Sequence, residues 1–527
     1  MSMSLRNFEE ADFNAVQALM GPVLPAPLGS SDLLQPDIVK ACLTLPGAFG
    51  LVAADDAGLC GMLYVLMEQE TPETVVGLLT RFLALESPER AAMADSLLGT
   101  AIQTLQSNLQ LCFAEIPSAD VWAHAACENG GFKPSGYLPA RHLKGEARTG
   151  AMVYAYLNEI ALKQRRAHPE LISSAKDLAE AALRAHGLIE DIEVRDDLAA
   201  YPTECDFTVA PLDASAAQMM RENKTQQQSE IFSTLQGCQT RLHLQAVQPS
   251  YVAAREGEKV VGAMGFIVDP VDRRVHVTEV MVVEGEPQGF LASSLFEALN
   301  REVNPDYWEV LVSAHSPRLQ KTFDQMGFVP CAYLPAFAME HGLRSDAIKM
   351  VKLNSPYESE GMELTSAGKD WFGLVDNTFR EHAIGMAVLR LLKDLRIFQG
   401  MGEGELRRVA RLFKQKLYRP GEAIFEAGST GREMYVVERG EVEIVTGDGS
   451  KLLATIKSGT VFGEIAFLNG EPRTAKAVAK SAAILRVVER ADFDKLIQRE
   501  LHLGRVFFQN VALDLADKLK RTTSQAK

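Results

Sequence analysis

Ten residues near position 131 recur near position 327, and that recurrence constrains the fold more than any other feature of the chain. Gly131-Phe132-Lys133-Pro134-Ser135-Gly136-Tyr137-Leu138-Pro139-Ala140 reappears 196 positions later as Gly327-Phe328-Val329-Pro330-Cys331-Ala332-Tyr333-Leu334-Pro335-Ala336, with seven of ten residues identical. The segment VAADDAGLCGMLYV (52–65) likewise faces VAAREGEKVVGAMGF (252–266). Each reads as two strands around an acidic, glycine-containing turn. Both copies then predict a strand and a helix. Met93, Leu97, Leu98, Ala101, Ile102 and Leu105 share one helical face in the first copy, and Leu291, Leu295, Phe296 and Leu299 share one in the second. A ten-residue match alone is within reach of chance. The same order of elements around it makes the first 350 residues a duplication.

A chain of 527 residues exceeds one hydrophobic core and implies roughly three or four domains. The net charge of −15 and the absence of a long basic run argue against nucleic acid or an anionic membrane as the main partner. No stretch approaches about 20 apolar residues, so no membrane span is expected. The opening MSMSLRNFEEADF has no apolar core of a secretory signal. Cys42, Cys60, Cys112, Cys127, Cys205, Cys238 and Cys331 are odd in number and scattered, as suits reduced thiols in a cytoplasm. The histidines show no metal-ligand spacing, so no metal is expected.

The order in each copy is strand pair, strand, helix, strand, helix, Gly-Phe turn and final strand pair. With HVTEVMVV (276–283) as the buried strand and SPRLQKTFDQMGF (316–328) leading into the Gly-Phe turn, it resembles the GNAT acyltransferase fold. The resemblance spans about 1–160 and 205–354, and implies acetyl-CoA as a ligand. GNAT enzymes hold the acyl-CoA pyrophosphate on backbone N–H groups at a helix N-terminus, through a loop whose glycines allow close approach. The first copy reads Pro88-Glu89-Arg90-Ala91-Ala92-Met93-Ala94-Asp95, with Ala92 or Met93 in the key glycine's place according to register. The second reads Glu286-Pro287-Gln288-Gly289-Phe290-Leu291-Ala292-Ser293, with Phe290 or Leu291 there. Neither loop favours close phosphate approach, and Glu89 and Asp95 add negative charge. The family's proton-donating tyrosine is replaced by Cys127 and Phe323. Glu279 falls on the strand where some members keep a general base, but a water-facing strand-end carboxylate is the simpler reading. His124 and His315 read as ordinary core or surface residues. Catalytic residues are therefore unassigned.

Residues 158–187 contain a helical run ending at Gly187, which we expect to bridge the copies within a helical connector over 161–204. Residues 354–364, NSPYESEGMEL, read as a linker, and a helix-rich stretch runs from Ala367 to about Phe413. From Leu417 the pattern becomes short strands punctuated by glycines: LYRPGEAIFEAGS, EMYVVERGEVEIV, KLLATIKSGTVFGE and AKAVAKSAAILRVV. That spacing predicts a small antiparallel barrel or jelly roll. A final helical region over about 491–520 places Phe507, Val511, Leu515 and Leu519 on one stripe.

Within this module FGEIAFLNGEPRTA (462–475) resembles the phosphate-binding cassette of cyclic-nucleotide-binding domains. The resemblance covers about 388–525. It implies that Arg473 holds the cyclic phosphate through paired charge-assisted hydrogen bonds. Backbone N–H groups of Gly463, Glu464, Ile465 and Ala466 add donors, Gly463 permits close approach, and Glu464 accepts from the ribose 2′-OH. The hydroxyl of Thr474 is a weak vote for cyclic GMP, so cyclic AMP and cyclic GMP both stand. The alternative for Glu464 and Arg473 is a structural ion pair.

The expected class is α+β. Two GNAT-like repeats (1–160, 205–354) flank the connector, a linker and helix occupy 355–387, and a cyclic-nucleotide-binding jelly roll with flanking helices fills 388–527. The leading functional expectation is a cytoplasmic cyclic-nucleotide sensor regulating the duplicated part. The alternative is a cyclic-nucleotide-regulated acyltransferase acting on a protein lysine or small amine. A helix-turn-helix regulator is disfavoured by the acidic charge and by the single helical region after the barrel. Oligomeric state is open.

Overall fold

The computed structural model describes residues 3–20, 48–71, 74–144, 147–202, 207–222, 230–232, 249–269, 273–283, 288–303, 305–340, 342–354, 364–401, 403–410 and 412–525. Glu286 and Pro287, residues 355–363 of the linker, and Cys42, Cys205 and Cys238 lie outside the described residues. The chain divides into two compact units, 1–379 and 380–527.

In the first unit one copy comprises β1 (Ser4–Asn7), α1 (Phe13–Met20), β2 (Ala48–Asp55), β3 (Gly58–Thr71), β4 (Thr74–Ala84), α2 (Arg90–Leu105), β5 (Leu109–Pro117), α3 (Val121–Asn129), β6 (Lys133–Lys144) and β7 (Ala147–Leu157). Next come α4 (Glu159–Lys163), β8 (Glu170–Leu171), α5 (Ser173–Ala185) and β9 (Glu193–Val194). The second copy repeats the first element for element: β10 (Thr208–Leu212), α6 (Ala214–Glu222), β11 (Ser250–Glu256), β12 (Lys259–Asp269), β13 (Arg274–Val282), α7 (Gln288–Val303), β14 (Tyr307–Ser313), α8 (Pro317–Gln325), β15 (Val329–Glu340) and β16 (Leu343–Leu353).

The helical run expected within 158–187 and ending at Gly187 is the helix Ser173–Ala185, and a break at Pro169 precedes it. Pro169 has no N–H to continue a helix and disfavours the helical region for its predecessor. His168 sits at φ 55°, and Glu170 pairs instead with Glu193 in the small parallel β8–β9 sheet. What remains is the short α4 and the amphipathic α5, which buries Ala175, Leu178, Ala179, Ala182 and Leu183.

All strands of the two copies join one 14-stranded sheet, ordered β1-β2-β3-β4-β5-β7-β6-β15-β16-β14-β13-β12-β11-β10. The copies meet where β6 runs antiparallel to β15, with Gly136 opposite Ala332. These residues are 196 positions apart, so equivalent positions face each other across a local two-fold. Contact is close enough that a Cβ on Gly136 would lie 2.3 Å from Ala332 Cα. The equivalence extends to backbone detail. Ala140 and Ala336 both take positive φ (51° and 52°), and Arg148 and Arg344 donate to their respective carbonyls at 3.0 and 3.3 Å. Tyr137 and Tyr333 are both buried.

A buried charge network crosses this junction. Glu115 of the first copy accepts from Arg141 at 2.6 Å and from Lys349 of the second copy at 2.5 Å. Arg274 bonds Glu309 at 2.7 Å and Asp269 at 3.1 Å. Removing one member would strand a buried charge, so the network ties the two copies to one register.

Two strand pairs in the sheet, β4–β5 and β13–β14, are parallel among the long strands. The first is paired from Val75–Leu109 to Leu79–Ala114, the second from Arg274–Tyr307 to Val277–Val310. Beyond these points the strands continue without a shared ladder. In each copy the parallel ladder thus ends before its strands do.

Helix α9 (Ser366–Asp394) contains the division between the units. Its Trp371, Val375 and Phe379 belong to the first unit's core, and its Val388, Leu389 and Leu392 to the second's. The second unit continues with α10 (Glu403–Ala410), β17 (Lys414–Tyr418), β18 (Ala423–Phe425), β19 (Glu433–Arg439), β20 (Glu441–Val445), β21 (Leu452–Lys457), β22 (Val461–Phe462), α11 (Glu464–Asn469), β23 (Lys476–Ala479), β24 (Ala483–Glu489), α12 (Arg490–Arg499) and α13 (Leu501–Gln525). Its strands form two antiparallel four-stranded sheets, β17-β24-β19-β22 and β18-β23-β20-β21, a jelly roll. Tyr435, Val437, Val442, Phe462 and Leu485 fill the barrel, while Phe467, Phe493, Phe507 and Val511 pack the flanking helices against it. No helix among the described residues is long and apolar enough to cross a membrane.

Candidate functional site

The segment between β22 and β23 is set by two glycines in the left-handed region. Gly463 (φ 78°) is the N-cap of α11 and Gly470 (φ 73°) its C-cap. These conformations suit glycine and confine the helix to six residues. Within it Ala466 and Phe467 turn inward, Glu464 is half-buried and Ile465 is 49% exposed. The first-turn N–H groups of a helix have no acceptor inside it, so this turn presents backbone donors next to Gly463.

Arg473 is held by its backbone before its side chain makes any contact. Its N–H donates to Ser429 O at 2.9 Å and its carbonyl accepts from Gly428 N–H at 2.7 Å. The guanidinium then reaches under α11 and is only 4% exposed. Nη1 donates to Gly463 O at 2.9 Å, and Nη2 to Glu433 O at 2.7 Å and to the Glu433 carboxylate at 3.1 Å. The guanidinium carbon lies 4.3 Å from the ring centre of Phe425 and 5.7 Å from that of Tyr435. Tyr435 in turn stacks on Phe462 at 5.1 Å. Aromatic faces and fixed carbonyls thus hold a charged fork in one pose.

One nitrogen of that fork makes no hydrogen bond: Nε of Arg473 is buried with no partner among the described residues. A buried unmet donor on a cation is costly, and here it lies on the side of the fork that binds an oxyanion bidentately. The approach is also tight, since a Cβ on Gly463 would fall 2.8 Å from Arg473 Nη1. These features fit a small anion with several acceptor oxygens.

The structure thus brings Gly463, Glu464, Ile465, Ala466 and Arg473 to one short helix and the strand entry after it, with Thr474 exposed beside them. The carboxylate that meets Arg473 is Glu433, and not Glu464 as the alternative ion-pair reading would have it. Glu433 stands 40 residues upstream at the start of β19, and no local spacing marks it.

The residues singled out in the duplicated part behave differently. Of the alternative key positions in the two helix-opening loops, Met93 and Leu291 are core side chains, 3% and 0% exposed, while Ala92 is exposed and Phe290 half-buried. Asp95 accepts from Asn129 at 3.2 Å, and Glu89 is exposed at the N-cap of α2. Cys127 is fully buried, and burial pushes its thiol far above the range in which it gives up a proton readily. Phe323 packs against Phe328 with ring centres 4.9 Å apart. Glu279 accepts from Tyr251 OH at 3.2 Å. His124 is fully buried beside Tyr154 OH (3.3 Å), and burial lowers its pKa to about 4. His315 is lowered to about 4 by burial and then by Arg166 and Arg165. None of these side chains is joined to another as a nucleophile–base pair among the described residues.

Comparison with known proteins gives the second unit a family. The model of the cyclic nucleotide-binding domain matches residues 415–500. The chain is 31% identical over 134 residues to the human cyclic nucleotide-gated channel beta-3, a match covering 25% of this chain and 17% of the channel. It is 33% identical over 106 residues to a cAMP-dependent protein kinase regulatory subunit of Yarrowia lipolytica, covering 20% of this chain and 28% of that subunit. Among solved structures, the Thermus thermophilus catabolite activator protein aligns at 30% identity with a TM-score of 0.23, covering 25% of this chain and 61% of that one. The chain therefore spans less than a third of the length of these channel and kinase-subunit relatives. The jelly roll with its cassette, over residues 415–500, is a cyclic nucleotide-binding domain.

Proposed function

We propose that this chain is a cyclic-nucleotide sensor in which cAMP or cGMP, bound at the α11 cassette, regulates a duplicated GNAT-like body. The observation that carries the ligand site is the buried Arg473 fork with its unpartnered Nε. In this reading Arg473 and the first-turn N–H groups of α11 hold the cyclic phosphate. Gly463 allows the approach, Glu464 accepts from the ribose 2′-OH, and the Thr474 hydroxyl meets a guanine edge when the ligand is cGMP. The similarity to channel and kinase regulatory proteins, named for cyclic-nucleotide gating and cAMP dependence, supports the same ligand class. Regulation requires that the nucleotide favour one of two packings. Calorimetry on the full chain tests the site: binding of either nucleotide to the wild type and its loss in Arg473→Ala support it. No heat from either nucleotide overturns it.

The GNAT-like reading of residues 1–354 is supported by the repeated element order and by the parallel pairs β4–β5 and β13–β14, whose ladders end before their strands do. The end of the β4–β5 ladder in the first copy also keeps open the second reading, a nucleotide-regulated N-acetyltransferase for a protein lysine or small amine. Acetyl-CoA binding followed by nucleotide-dependent turnover would support that reading, and no acyl-CoA binding would remove it.

A further inference from the structure

Where β13 leaves β14, the freed edge of β14 does not face solvent. Residues Glu230–Phe232 lie along it in extended antiparallel pairing, with Ile231 in an isolated bridge to Val312. Phe232 N–H donates to Leu311 O and Ser313 N–H to Glu230 O, each at 2.9 Å. Ile231 and Phe232 are 2% and 4% exposed, and the Phe232 ring lies 6.0 Å from that of Phe337.

The same three residues also reach the start of α7. Burial raises the Glu230 carboxyl above its ordinary range, and the neighbouring Gly289 N–H, Ser316 side chain and Arg318 act against that rise. Gly289 is in the first turn of the 16-residue α7, where unpaired donors and the helix dipole favour an anion. Tyr201 covers that turn so closely that a Cβ on Gly289 would fall 2.2 Å from its ring, and Arg318 stacks on Tyr201 at 3.9 Å. Backbone pairing, apolar burial and a capped helix thus converge on one tripeptide. The first copy cannot make this contact in the same way. Its residue equivalent to Ser313 is Pro117, which has no N–H to donate.

We propose that Glu230–Phe232 is an in-chain ligand of the second repeat, an extended acidic segment occupying by strand addition and helix capping the place that an outside extended anion would need. The freed edge of β14 is therefore covered by the chain itself. Identifying the excluded ligand as a coenzyme A ester rests on the GNAT-like reading; the edge contact does not.

Hydrogen exchange on the full-length protein tests the contact. Ile231→Asp places a charge in a buried segment and Glu230→Gln removes only the capping anion. The amides of Ser313 and Phe232 should exchange about tenfold faster in the first variant and a few-fold faster in the second, since each lost contact is one charge-assisted or backbone bond. Amides of β16, on the other side of β14, should stay protected, which separates local release from unfolding. Unchanged exchange at Ser313 and Phe232 in both variants overturns the proposal. Titration with coenzyme A then separates the two ideas. One binding site more in Ile231→Asp than in the wild type supports both. Faster exchange with no added site supports the in-chain segment and overturns the coenzyme A reading.

Discussion

Glu433→Gln separates the two things Arg473 does. In the structure the Glu433 carboxylate takes Nη2 at 3.1 Å, and Nε beside it has no partner. A cyclic phosphate gripping the Nε–Nη2 side of the fork meets an unused donor and a donor already shared with a carboxylate. Glu433 and the phosphate are then two anions within reach of one guanidinium. At about 4 Å two unit charges interact by about 1 kcal/mol in a water-like medium and about 4 kcal/mol at a partly buried site. The Glu433 side chain is 30% exposed, which places the repulsion at the lower end. Removing about 1 kcal/mol of repulsion tightens binding about fivefold. The free domain loses the ion pair but keeps both carbonyl acceptors, so its stability falls by only about 1 kcal/mol. Calorimetry with cAMP and cGMP on wild type, Glu433→Gln and Arg473→Ala reads all three, with the alanine variant expected to lose about 100-fold or more. If Glu433→Gln binds more weakly than wild type, the carboxylate orients the arginine for the ligand and the competition argument is wrong.

Other perturbations read other parts of the molecule. Gly463→Ala forces a side chain into φ 78° with its Cβ 2.8 Å from Arg473 Nη1, which should cost about 1–2 kcal/mol of stability by thermal denaturation and weaken nucleotide binding with it. Gly136→Val drives a branched side chain into Ala332 at the junction of the two copies, so the first unit should lose its cooperative unfolding transition while the second keeps nucleotide binding. Ala336→Gly should be neutral or stabilising by up to about 1 kcal/mol, unlike most such changes, because φ 52° already strains an alanine. Acid should weaken the first unit. His124 is held neutral with a pKa of about 4 against an ordinary 6.5, so the unfolded chain binds a proton the folded one refuses, and stability falls as pH drops from 6.5 to 4. His124→Gln, the residue found at the equivalent position 320, should reduce that slope in a melting series by one proton's share, the rest coming from His186 and His315, which burial also lowers to about 4. Below that range Glu115 continues the loss, since its pKa, held to about 2 by Arg141 and Lys349 against burial, lies under the ordinary 4.5.

Much of this protein is legible in the sequence where the physics is local. A cyclic phosphate demands an arginine, a permissive glycine and a helix start within a dozen residues, so the cassette from Phe462 to Thr474 can be read as a string. The duplication is readable because equivalent strands keep their turns and apolar spacing, and because the Gly-Phe turn needs the positive φ seen at Gly131 and Gly327. Helical periodicity finds α2, α5 and α7, but not the break at Pro169, where β8 pairs with β9.

The tertiary structure decided what depends on strand register between distant segments. Glu433 becomes the partner of Arg473 because β19 passes beneath the cassette, a contact across 40 residues that no spacing encodes. The two copies become one sheet because Gly136 can meet Ala332 without a side chain between them. Glu230–Phe232, unremarkable as a string, covers the edge of β14 because the β13–β14 ladder ends at Val277 and leaves a strand edge that must be satisfied. Local chemistry fixed which residues could hold a ligand, and long-range backbone pairing decided which of those places the chain fills itself.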